Sequence, residues 1–157
     1  MGWSLKKEKM VEFLEAAKRQ EEVFLCMLWG TVYAETRFEN RSLASKVTAA
    51  RGTPGVGGSP NGAFCYIGLT DQSLYVIALD FYNTSNIIGT FAFPLIHITS
   101  IAIRRGLFGW SYTVGVECGQ RISLTIKGTS LGTNIKDQKE RMRYFLASME
   151  SLKSRFL

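Results

Sequence analysis

The sequence has few of the residues that site chemistry most often needs. Its one histidine, His97, has no cysteine near it in the chain, so a metal site or a Cys/His dyad would need distant partners. The apolar neighbours of His97 in LIHITSI predict a strand or its entrance, and a hydrogen-bonded structural role. The three cysteines, Cys26, Cys65 and Cys118, are odd in number and scattered, which argues against a disulfide framework and against a C-x-x-C metal site. The longest apolar run, Val23 to Ala34, is about 12 residues where a spanning helix needs roughly 20. The first residues, MGWSLKKEKMVEF, contain no apolar export core, and WSLK after Gly2 lacks the hydroxyl residue of an acylation signal. The glycine-rich GTPGVGGSPNG has no G-K-[S/T] and no helix signal behind it, so no phosphate-cradling loop is expected. Asp71 and Asp80 lie at turns, where aspartate bonds local backbone. These absences predict a chain without catalytic residues, metal or cofactor, at home in a reducing cytoplasm.

At 157 residues, with 46% of them hydrophobic and 20% charged, the chain is sized and composed for a single domain over residues 1–157 with one core. The net charge of +6 is unevenly spread. Positive and negative residues balance up to residue 22. The excess lies in Arg37, Arg41, Lys46 and Arg51, opposed only by Glu39, in the pair Arg104 and Arg105, and in Lys136, Lys139, Arg141 and Arg143. Such patches attract anionic lipid or nucleic acid, or simply solvate the surface. A single-strand binder would expose aromatics among the cations, whereas Trp110 and Tyr112 share a face with Val114 and Val116, so nucleic acid is not the expected partner.

Along the chain, Ser4 reads as an N-cap, and Met10, Phe13, Leu14 and Ala17 form the stripe of an amphipathic helix within residues 1–21. Strands are expected over 22–127. The first is long and bent at Gly30, and a long flexible loop at about 36–62 follows it. Ala63 to Leu69 and Leu74 to Asp80 flank TDQS as a hairpin. Ile87 to Phe93 precedes Pro94, and Ser100 to Arg104 alternates with isoleucine. Trp110 to Val116 and Ile122 to Ile126 alternate without exception, which makes them a hairpin with one wet and one buried face. RRGLFGW, residues 104–110, is the turn before it. The closing segment, 137–156, is helical, with Asp137 and Glu140 placed as a capping box and Met142, Phe145, Met149, Leu152 and Phe156 along one face. About seven strands with helices at both ends is a mostly β, α+β chain.

That order resembles a pleckstrin-homology (PH)-like domain, in particular the short bacterial PH-like proteins of the YokE type. The resemblance is carried by YIGLTDQSLYVIA at 66–78, FPLIHITSIAIRRGLFGW at 93–110, RISLTIKG at 121–128 and the closing helix. It implies a barrel of two near-orthogonal antiparallel sheets capped by the C-terminal helix, and a non-catalytic interaction module. Protein association or homo-oligomer assembly is the leading expectation. Peripheral binding to anionic phospholipid, at the inner face of a membrane, is the alternative. In PH domains that bind phosphoinositides, basic residues line the first hairpin; AFCYIGL here has none, so that motif is absent. The candidate contacts for an anionic ligand or lipid are Arg37, Arg41, Lys46, Arg51, Arg104 and Arg105, with Leu107 and Phe108 as an inserting tip.

Overall fold

The alternation in RISLTIK is realised as burial. Ile122, Leu124 and Ile126 are fully buried, and Arg121 and Lys127 are exposed at the strand's ends. The structure, a computed structural model, describes residues 5–35, 62–106, 111–129 and 133–156. It contains helix α1 (Lys7–Ala17), strands β1 (Phe24–Glu35), β2 (Ala63–Thr70), β3 (Ser73–Leu79), β4 (Ile87–Pro94), β5 (Ser100–Arg105), β6 (Ser111–Glu117) and β7 (Arg121–Lys127), and helix α2 (Gln138–Lys153). The strands form one seven-stranded antiparallel sheet in the order β4-β3-β2-β1-β7-β6-β5. The hairpins expected from the sequence are all present. Residues 36–61 and 107–110 lie outside the described residues, so the loop and the Leu107–Phe108 tip do too.

The sheet has a core on each side. One collects residues from every strand, among them Val32, Ile67, Val76, Phe91, Ile101, Val114 and Leu124, and is closed by Met142, Phe145, Met149 and Leu152 of α2. The other lies on the opposite face of β1–β3, where Trp29, Tyr66, Tyr75 and Ile77 pack under Met10, Phe13 and Leu14 of α1. Strand β3, SLYVIAL, is therefore buried at every position. Two glycines allow the close packing this requires. A Cβ at Gly68 would sit 2.4 Å from the Phe24 ring, and one at Gly30 would sit 2.7 Å from the Thr125 carbonyl oxygen. Phe24 in turn meets Tyr75 edge-on, with ring centroids 5.8 Å apart.

The helices are tied down by residues remote in sequence. The Lys7 amide donates to Asn134 Oδ1 at 2.6 Å, and Asn134 Nδ2 donates to Glu8 Oε1 at 3.1 Å, so α1 is capped from the far end of the chain and starts after the expected Ser4. Asp137 does not cap α2. It sits at φ 48° with no side-chain bond to the helix amides, and its carboxylate pairs with Arg141 at 3.2 Å. Strand β1 pairs with β7 only from Thr31 to Glu35, which leaves its earlier edge open on that side. Helix α2 satisfies part of that edge. Gln138 Nε2 donates to the Trp29 carbonyl at 2.9 Å and to the Lys127 carbonyl at 3.1 Å, and Arg141 donates to the Met27 carbonyl at 2.9 Å. Glu22, buried just before β1, accepts hydrogen bonds from Thr70 Oγ1 at 2.7 Å, Tyr75 OH at 2.9 Å and Ser73 Oγ at 3.2 Å. That fastens the α1–β1 link to the β2–β3 turn.

Candidate functional site

Of the basic residues singled out in the sequence, Arg37, Arg41, Lys46 and Arg51 lie outside the described residues, as do Leu107 and Phe108. Arg104 and Arg105 are described and exposed, but they do not act as a pair. Side chains alternate along a strand, so neighbours leave opposite faces. Arg104 shares its face with Ser100 and Ala102, and with them lines a cavity of about 310 Å³ that also contains the Arg121–Glu117 ion pair. Arg105 follows Ile101 and Ile103 on the core side and stands opposite Tyr112 of β6.

There Arg105 lines a separate cavity of about 380 Å³ with Lys139 and Arg143 of α2, over Tyr112, Met142 and Leu146. Lys139 and Arg143 are four residues apart on one helix face, a spacing visible in the sequence. The partner that makes them a group, Arg105, is more than thirty residues away and could be found only from the fold. Gly128 borders the same cavity. A Cβ there would lie 3.1 Å from Met142 Cε and 3.6 Å from Lys139 Cγ, so the lysine stem runs alongside the glycine. None of the three cations forms an ion pair or side-chain hydrogen bond with a described residue.

A third cavity, about 550 Å³ and mainly apolar, is walled by Trp29, Phe64 and Phe81, the last two stacked with centroids 6.0 Å apart. Among the described residues Trp29 Nε1 is the one buried side-chain polar atom without a hydrogen-bond partner, a donor that water or a polar ligand atom could satisfy.

The three cysteine thiols are held in their protonated, less reactive form. Burial pushes the Cys26 thiol up to about 12 against a smaller opposing pull from Arg141, and burial raises Cys65 and Cys118 as well. His97 is exposed at the end of a 3₁₀ turn (Leu95–His97) that leads into β5, at the entrance of a strand as the sequence suggests and not within one. For Glu22, burial pushes the carboxyl up, but the hydroxyl donors Thr70, Tyr75 and Ser73, helped by Arg19, outweigh it and hold the pKa below its ordinary value. Among the described residues no three His, Cys, Asp or Glu side chains gather as a metal ion would need, and no helix is long and apolar enough to cross a membrane.

Neither a family model nor a curated protein matches the sequence. A solved structure that resembles the chain is the hSac2 domain from human phosphoinositide phosphatase Sac2, at 10% identity and a TM-score of 0.50, the match covering 94% of this chain and 80% of that one. At this identity the likeness shows the fold alone.

Proposed function

We propose that the chain is a non-catalytic binding module of PH-like architecture, related to the bacterial YokE-type proteins, and that it associates in the cytoplasm with a protein surface, first of all a second copy of itself. The finer architecture in this reading is a pair of near-orthogonal sheets, β1–β4 and β5–β7, hinged on the long β1. Its support is the short β1–β7 pairing and the way α2 side chains fill the gap where β1 and β7 part.

The observation that carries the functional reading is the free edge of β4. Among the described residues the strand pairs with β3 on one side only, and its sequence, IIGTFAFP, holds no charged residue. Unpaired edges invite another strand, and proteins commonly block them with charge. The other free edge, β5, ends in Arg104 and Arg105; β4 has no such guard. Ile87 is 45% exposed at its start and Ile96 is 88% exposed just past its end, so the edge is flanked by apolar side chains open to a partner. An antiparallel β4–β4 contact is self-complementary and closes as a twofold dimer. The alternative, a lipid-inserting tip, loses its paired-arginine basis because Arg104 and Arg105 leave opposite faces of β5.

Amide hydrogen exchange tests the edge directly. In a dimer joined along β4, the β4 amides should become slower to exchange as protein concentration rises, while β5 amides stay unchanged. Exchange at β4 that is independent of concentration would remove the proposal.

A further inference from the structure

The cavity between α2 and the β5–β6 hairpin contains an arrangement that folding alone does not favour. Lys139 and Arg143 are like charges at i and i+4, which repel on a helix surface. Lys139 also sits in the first turn of α2, where the helix dipole disfavours a cation. Arg105 is then brought to the same cavity from β5. Of the acids nearest in sequence, Asp137 pairs with Arg141, and Glu140, in the first turn of α2, forms no ion pair with Lys139 or Arg143. Residues 107–110 and 130–132, which adjoin the cavity in sequence, contain no carboxylate.

We infer that Arg105, Lys139 and Arg143 form a binding site for a phosphomonoester dianion. Three converging cations call for a ligand with more than one negative charge, and a single carboxylate would leave two of them unmatched. Two guanidinium groups offer planar donor forks that fit phosphate oxygens, and the lysine adds a point charge. The volume is that of a small-molecule cleft, and the Tyr112, Met142 and Leu146 floor gives the ester's organic part an apolar surface. A bound dianion would also relieve the repulsion along α2. The site takes no residue from the β1–β2 hairpin, where the PH resemblance would put a phosphoinositide, and it does not depend on self-association through β4.

Glycerol 3-phosphate measured by titration calorimetry supplies the soluble form of the ligand. Vesicles of phosphatidylcholine with phosphatidic acid, sedimented beside vesicles of phosphatidylcholine alone, supply the lipid form. Binding to either probe is expected, and which one binds distinguishes a free metabolite from a headgroup. R105A, K139A and R143A should each weaken binding about tenfold, the loss of one charge-assisted contact, while R104A on the opposite face changes nothing. The thermal midpoint of the wild type should rise with glycerol 3-phosphate, and the K139A/R143A variant should melt no lower than wild type without it. No binding to either probe at low salt would overturn the site. So would R104A weakening binding as much as R105A, or a sharply lowered melting point in K139A/R143A, since the cations would then be diffuse attractors or structural.

Discussion

Strands β1–β3 and strands β5–β7 are halves of one sheet, yet they are buried differently. The first half is covered on both faces, by α2 and the shared core on one side and by α1 on the other. The second half is covered on one face, and the other is an open polar surface with Arg104, Glu117 and Arg121. The difference separates two jobs. The doubly covered half holds the fold, with its hydrogen-bonded Glu22 clasp and its aromatic packing under α1. The singly covered half, with the end of α2, brings charge together.

The largest test of this contrast is a charge placed on the same nominal outer face of each half. Ile77→Lys, under α1, should cost about 4–5 kcal/mol or prevent folding, because it buries an unpaired cation. Ala102→Glu, on the open face of β5, should stay within about 0.5 kcal/mol in the same urea titration. Comparable losses would abolish the distinction.

The Glu22 clasp gives the next effect. Glu22→Ala leaves the Thr70, Ser73 and Tyr75 hydroxyls without their charged acceptor, at a cost of about 3 kcal/mol in denaturant unfolding. The clasp also has an acid signature. Its folded pKa lies below the ordinary value of 4.5, so the unfolded chain takes up the proton first. The stability Glu22 contributes is therefore complete above that value and is lost as pH falls through the folded pKa. Thermal midpoints of wild type should drop more steeply over that acid range than those of Glu22→Gln. Parallel curves would show that Glu22 titrates alike in the folded and unfolded chain, with no lowering of its pKa by the clasp.

Much of this division is readable in the sequence, and what is not has physical causes. A strand with one wet face alternates, so β6 and β7 declare both their structure and their buried side. Strand β3 is bounded by turns and rich in β-formers, but burial on both faces erases alternation, so its cover by α1 leaves no local mark. The helix stripes of α1 and α2 are plain, whereas their ends are not. Asn134 caps α1 across 127 residues, and Asp137 is diverted to Arg141, contacts that only the tertiary structure creates. Period two along β5 already implies that Arg104 and Arg105 diverge. What local pattern could not reveal is that Arg105 joins Lys139 and Arg143.

Smaller effects sharpen the same picture. Gly68→Ala should cost about 1–3 kcal/mol, since its Cβ would enter the slot that holds the Phe24 ring. Asn134→Ala should cost about 1 kcal/mol, the value of a helix cap, with the loss confined to faster amide exchange in the first turn of α1.

The functional account rests on association through the uncharged β4 edge, and the mass of the protein in solution tests it most directly. Light scattering at micromolar concentration should give a multiple of the 17.6 kDa chain mass, and Ala92→Lys, at an exposed position of β4, should return the mass to that of one chain. A wild-type protein that stays at the mass of a single chain, or an assembly indifferent to Ala92→Lys, would contradict it.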